Sequence, residues 1–229
     1  MKKSNLAVFC DFDGTIARRD VGYNMFHHFS GGRNDALLPG WMSGELSTRD
    51  CLRLEAEMVR VEPDEFFAYI DQFDLDPGFA DLERLCRENE TPLMVISEGL
   101  DTYIKRLLTV NGLGHLPVVC NVGHFENGGL RIEFPYTNRS CTRCGSCKGE
   151  RIAEIRHTLP PETQIVFVGD GYSDACAAAE ADILFAKKDL VDYCVKRKIM
   201  YNEFSNFHDV TGMLKNHSYK VTRDSQEKE

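Results

Sequence analysis

The chain has 229 residues, 42% of them hydrophobic, and a formal charge of −9. That length and apolar content support a sizeable core with room for a large insertion, and they exclude a wholly disordered chain. The acidic balance, with no stretch dense in Lys and Arg and interleaved with aromatics, argues against nucleic acid or an anionic membrane as partner and favours a small-molecule substrate. Met1, Lys2 and Lys3 look like the start of a signal peptide, but the apolar stretch behind them ends at Cys10, far short of a secretory core. No later segment reaches membrane-spanning length. Nine cysteines, spread over candidate core positions and one cluster, point to a reducing cytoplasm rather than a disulfide scaffold.

The first element is an apolar run from Leu6 to Cys10, a buried strand that meets Asp11, Phe12, Asp13, Gly14 and Thr15. Residues two apart in an extended chain face the same side, so Asp11 and Asp13 crowd like charges into one pocket. A divalent cation such as Mg²⁺ neutralises such a pair, leaving one carboxylate as nucleophile and the other as general acid. The plainer reading is a polar turn in which Asp caps a helix. Residues 17–77 hold no convincing strand, only helix-like stretches such as 48–61 and 63–73, broken by Gly31, Gly32, Pro39, Gly40 and Gly44. This region reads as an inserted helical cap, in which Tyr23, Phe26 and Phe29 either line a pocket or form the cap's own core.

Beyond it, apolar runs at 92–97, 117–121, 165–169 and 182–186 alternate with helical patterns at 78–90, 101–111, 148–158 and 174–181. Such alternation predicts an α/β fold with a parallel sheet between helical layers. Residues 124–134, with Asn127, Gly128 and Gly129 between alternating residues, read as an antiparallel hairpin. The polar, charged stretch 219–229 reads as a mobile tail. The domains expected are therefore a catalytic core over 1–16 and 78–218, a cap over 17–77 and that tail.

Three further strand ends carry chemistry. Ser97 ends the second apolar run and offers a hydroxyl, with nearby backbone amides, to a phosphoryl oxygen at a helix start; otherwise it is an ordinary cap. Lys148 opens a helix, where a cation beside the positive terminus is unfavourable unless an anion binds there, or unless it simply faces solvent. Asp170 and Asp174 follow the run at 165–169, repeating the strand-then-carboxylate arrangement, and either hold a cation or make a glycine turn with an Asp cap. In a parallel sheet these ends converge on one edge. Cys141, Cys144 and Cys147 form a Cys-x-x-Cys-x-x-Cys run, with Cys120 or His124 as fourth ligand if it binds zinc. The alternatives are a reduced thiol cluster or a disulfide. Cys10 and Cys176 read as core fillers.

In the order Asp-x-Asp-Gly-Thr, Ser, Lys, Gly-Asp-x-x-x-Asp, the chain resembles the haloacid-dehalogenase-like (HAD-like) phosphatases over nearly its whole length. The helical insertion resembles the cap of their phosphoserine-phosphatase-like branch. Cys120, Asn121, the hairpin and Ser140, Cys141, Cys144, Cys147 and Lys148 resemble two groups within it. These are the 2-hydroxy-3-keto-5-methylthiopentenyl-1-phosphate phosphatases of methionine salvage and the phosphoethanolamine/phosphocholine phosphatases. The resemblance implies a Rossmannoid core and a Mg²⁺-dependent phosphomonoesterase acting on a small phosphorylated metabolite. It implies Asp11 as nucleophile, Asp13 as acid and base, Ser97 and Lys148 on the phosphoryl oxygens, and Mg²⁺ on Asp11, the Asp13 carbonyl and Asp170, supported by Asp174. For the substrate it points to Asp20, Glu55, Glu98 and Gly99. Glu55 stands about where phosphoserine phosphatases carry an Arg, which disfavours a carboxylate-bearing substrate, and Glu98 stands where the phosphoethanolamine group has an acid.

Overall fold

The apolar runs assemble, in a computed structural model, into one seven-stranded sheet: β1 (Leu6–Cys10), β2 (Leu93–Leu100), β3 (Val118–Glu126), β4 (Gly129–Glu133), β5 (Gln164–Gly169), β6 (Ile183–Ala186) and β7 (Asn202–Glu203). The structure describes residues 5–136 and 138–222. The charged start Met1–Lys3 and the end of the expected tail from 223 lie outside the described residues. The strand order is β4-β3-β2-β1-β5-β6-β7, parallel except for the β3–β4 hairpin. The order therefore reverses at β1, between β2 and β5, and such a switch point opens a crevice at the carboxyl ends of the strands.

Both faces of the sheet are buried, which is why its central strands are continuous apolar runs. Alternate residues serve opposite layers: Val8 and Cys10 pack with Val95, Val166 and Val168, whereas Ala7 and Phe9 pack with Ile96, Ile165 and Phe167. The first layer is covered by α5 (Phe79–Glu88), α6 (Asp101–Val110) and α10 (Phe207–Asn216), through Leu82, Ile104 and Val210. The second is covered by α7 (Lys148–Arg156), α8 (Ala175–Glu180) and α9 (Lys188–Arg197), through Ile152, Ala177 and Leu190.

Between β1 and β2 the described chain forms helices α1 (Val21–Ser30), α2 (Leu38–Ser43), α3 (Thr48–Met58) and α4 (Pro63–Ile70). Asp20 accepts a hydrogen bond from the Tyr23 amide at the start of α1, and Gly31, with φ +64, ends it. Ser47 caps α3 through the Asp50 amide. The hairpin leaves the sheet to pack on these helices. Phe125 meets Phe66 edge to face with ring centroids 5.0 Å apart, and the Val61 amide donates to the Gly128 carbonyl.

Two expectations from sequence change, for Ser97 and for residues 219–222, and one open choice, for Tyr23, Phe26 and Phe29, resolves both ways. β2 runs through Ser97 to Leu100 and α6 begins at Asp101, so Ser97 lies inside a strand and not at a helix start. Phe29 packs on Phe66 and Tyr69 in the helical layer, while Tyr23 and Phe26 face a cavity. Residues 219–222, read as the start of a mobile tail, are held. The Thr222 amide donates to Asp182 O at 2.6 Å, its hydroxyl accepts from the Leu184 amide, and the Lys220 amide donates to Asn202.

Candidate active site

Strand register brings the polar side chains together. Cys10 pairs with both Val95 and Val168, so Asp11 follows one residue beyond the pairing, and Ser97 and Asp170 two residues beyond their partners. The Asp11 amide continues the ladder to Val168 O at 2.9 Å. The turn Phe12–Ile16 then swings Asp13 back over the edge. Gly14 makes this possible: its φ is +71, and a Cβ there would collide with the Asp170 carboxylate.

Asp11, Asp170 and Asp174 each offer a carboxylate oxygen, and these oxygens all lie within 4.8 Å of one another. Asp11 is 3% exposed and Lys148 2%. Lys148 Nζ donates to Asp11 Oδ1 at 2.8 Å, to Asp174 Oδ1 at 2.6 Å and more weakly to Ser173 Oγ at 3.4 Å. The reading of Lys148 as a solvent-facing residue is thus replaced by a buried ammonium between two carboxylates. Burial pulls its pKa down, but Asp11 and Asp174 outweigh this and hold it charged. Asp174 is also structural, accepting from the Asp170 and Gly171 amides at 2.9 and 3.1 Å. Burial, with Asp174 beside it, pushes the Asp11 pKa up against the opposing pull of Lys148. Three crowded carboxylates with hard oxygen donors fit a Mg²⁺ ion.

Asp13 is held differently. Oδ1 accepts from the Val21 and Gly22 amides at 2.9 and 3.0 Å, and Oδ2 from the Tyr103 hydroxyl at 2.7 Å. Burial and the Asp20 charge raise its pKa to about 7, with the Tyr103 bond opposing. A carboxyl poised there can give and take a proton near neutral pH. Gly99 leaves the space this needs, since a Cβ at that position would strike the Tyr103 hydroxyl and come 2.7 Å from Asp13 Oδ2. Ser97 is 2% exposed, and its hydroxyl oxygen accepts from the Gly99 amide at 2.9 Å, so its own hydrogen is free for a ligand.

Asp11, Asp13, Ser97, Tyr103, Lys148 and Asp170 line a cavity of about 890 Å³ roofed by the helices between β1 and β2, with Asp174 buried behind it. Its far wall is apolar, with Phe26, Leu38, Trp41, Met42 and Leu52. Two buried acids open into it. Glu55 is 7% exposed and accepts from Asn34 Nδ2 at 3.2 Å, and burial raises its pKa to about 7. Glu98 lies in β2. Its oxygens have no partner of ordinary geometry, and burial raises its pKa to about 7 as well.

Sequence reasoning missed three residues. Tyr103 sets Asp13; Thr15 donates to Asp170 Oδ1 at 3.0 Å; Lys188 Nζ reaches Asp170 Oδ2 at 2.8 Å and the Gly14 carbonyl at 3.0 Å. Lys188 stands two residues past the apolar run 183–186, the same strand-end signal that marked Asp13 and Asp170. The cysteines also regroup. Cys141, Cys144 and Cys147 cluster with Cys176, not with Cys120 or His124. Cys120 is packed in the core, and His124 Nε2 pairs with Glu133 Oε2 at 2.9 Å across the hairpin. Cys176 is only half buried, so its assignment as a core filler is replaced too.

Residues 8–179 match the family model described as haloacid dehalogenase-like hydrolase. The chain belongs to this family. It is 30% identical over 221 residues to the 2-hydroxy-3-keto-5-methylthiopentenyl-1-phosphate phosphatase of Bacillus cereus, covering 92% of this chain and 96% of that one. The Brevibacillus brevis enzyme of the same name is 28% identical over 215 residues, covering 91% and 95%. In fold, the chain is similar to a HAD family hydrolase from Salmonella enterica serovar Typhi, with a TM-score of 0.74 at 19% identity, covering 97% of this chain and 72% of that one. A phosphoserine phosphatase solved as a phospho-aspartyl intermediate analogue gives 0.71, also at 19% identity, covering 93% and 99%. This HAD-like chain is a phosphatase, and no helix among its described residues is long and apolar enough to cross a membrane.

Proposed function

We propose that the protein is a Mg²⁺-dependent phosphomonoesterase that works through an aspartyl-phosphate at Asp11. The observation that carries this reading is the meeting of Asp11, Lys148 and Asp174 at one strand edge, with Asp13 one turn away and held by its own donors. Asp11, the Asp13 carbonyl and Asp170 would hold the ion, with Asp174 behind them, and it would supply charge neutralisation for the phosphoryl group. Asp11 attacks phosphorus. Asp13, fixed by Tyr103 and two amides, gives its proton to the leaving oxygen and then takes one from the water that hydrolyses the acyl phosphate. The free Ser97 hydrogen binds a phosphoryl oxygen, and Lys148 turns its weakest donor, now on Ser173, to another.

The leaving group enters against the apolar wall of Trp41, Met42, Leu38 and Leu52, which suits a methylthio chain. With the whole-chain similarity to the enzymes named above, this favours 2-hydroxy-3-keto-5-methylthiopentenyl-1-phosphate as substrate. A second reading, a phosphoethanolamine or phosphocholine phosphatase, has an observation of its own in the two buried acids Glu55 and Glu98. Phosphoserine ranks third, because Glu55 would repel its carboxylate. Steady-state kcat/KM on the three esters, for the parent and for Glu55→Gln and Glu98→Gln, separates them. The enol phosphate is expected to lead, with exhaustive EDTA abolishing turnover and Mg²⁺ restoring it. A phosphoethanolamine preference lost in the Gln variants reverses the ranking, and EDTA-resistant turnover contradicts the ion's role.

A further inference from the structure

The sulfur atoms of Cys141, Cys144, Cys147 and Cys176 all lie within 4.8 Å of one another, and all four are free thiols. We propose that these four cysteines hold one structural Zn²⁺ that ties the Lys148 loop to the Asp174 loop, a site separate from the carboxylates that act on phosphate. Tetrahedral zinc with sulfur at about 2.3 Å places its ligands roughly 3.8 Å apart, so the cluster needs only a small contraction to close around the ion. Four soft thiolates with no carboxylate among them select zinc over Mg²⁺ or Ca²⁺.

The loop is already shaped for this. Asn138 brackets it, donating from Nδ2 to Cys144 O at 2.8 Å and accepting from the Cys147 amide at 2.9 Å. Glu150, in the first turn of α7, gathers the amides of Ser140 and Cys141 at 2.9 and 2.7 Å. The Cys144 amide points at Cys141 Sγ at 3.5 Å, a donor that stabilises charge on sulfur. Cys147 sits at the positive end of α7, which favours thiolate. Loading breaks four S–H bonds and forms four Zn–S bonds. Four protons go to solvent, the site becomes a dianion and no electrons move.

The connection to catalysis is positional. Cys147 directly precedes Lys148, and Cys176 lies two residues after Asp174, the carboxylate that Lys148 Nζ meets at 2.6 Å. α7 and α8 touch at backbone level beside the cluster, where a Cβ on Gly149 would collide with the Cys176 carbonyl.

The test uses the whole chain, purified under reducing conditions in excess Mg²⁺ so that the carboxylates do not account for bound zinc. Elemental analysis should find about one zinc per chain. Cys141 and Cys176, both half-exposed, should resist alkylation mapped by mass spectrometry until a strong chelator is added. Cys120→Ser should keep its zinc, whereas Cys176→Ser should lose at least about tenfold in zinc affinity under chelator competition. Should Cys176→Ser not fold, cobalt reconstitution of the parent decides: the thiolate charge-transfer bands of a tetrahedral tetrathiolate are expected. Zinc below about a tenth of an equivalent overturns the proposal. So does iron in its place, a disulfide within the cluster, or a cobalt spectrum with fewer thiolates.

Discussion

Every carboxylate at the tips of β1 and β5 has a donor against it, whereas the buried glutamates of the same cavity, Glu55 and Glu98, have one side-chain amide between them in ordinary geometry. Lys148 alone spans Asp11 and Asp174, and Tyr103 closes on Asp13. The contrast separates a phosphate end, which must be held rigid because its chemistry is fixed, from a leaving-group end that keeps adaptable polarity. Lys148 stays charged because two carboxylates partner it, while burial raises Asp13, Glu55 and Glu98 alike to about 7; what sets Asp13 apart is the three donors that fix its position.

The largest expected effect strikes the phosphate end. Asp11→Asn keeps the shape and removes the nucleophile, so kcat on an aryl phosphate should fall by at least about 10⁴-fold with the melting transition still cooperative. Residual turnover near the parent's would break the distinction between the two ends. Next is Lys148→Met, which leaves Asp11 and Asp174 facing each other without their cation. kcat/KM should fall about 10²- to 10³-fold, and urea unfolding should show a loss of about 3–5 kcal/mol, the cost of breaking a buried ion pair. A stable, inactive variant would mean that Lys148 serves catalysis alone.

The smallest effect sits at the other end and has the opposite sign. Folded, Glu55 keeps its proton up to about pH 7, while the unfolded chain releases it near 4.5. Between those values the unfolded state binds fewer protons, so this group's contribution to stability declines as pH rises through the window and stays lost above it. Glu55→Gln should therefore be more stable than the parent by about 1–3 kcal/mol at pH 8, the two converging below pH 4.5, as read from urea titrations. A difference that does not change with pH would show that Glu55 is charged and partnered in the folded state.

The same contrast explains what could be read from sequence. Asp11, Asp13 and Asp170 stand at the ends of apolar runs long enough to count as strands, and a parallel sheet sends those ends to one edge. Six of the seven strands, β4 among them through the hairpin with its turn at Asn127 and Gly128, follow from period and turn chemistry. β7, only two residues long, carries no period to read. Partners fixed by packing were not visible. Tyr103 points from α6 at a residue far away in the chain, and Cys176 joins the thiols only because α7 and α8 lie side by side. Glu55 looks like one charge on a polar helix until the fold buries it beside Asn34.

The central claim, that Asp11 carries the phosphoryl group, is tested most directly by acid-quenching turnover of a radiolabelled phosphate ester and reducing the protein with borohydride, which converts an aspartyl phosphate to homoserine. The account predicts acid-stable label on the parent chain and homoserine at position 11 in the peptide map, with both absent from Asp11→Asn. Label at another residue, or turnover with no trapped label while Asp11→Asn remains active, would contradict it.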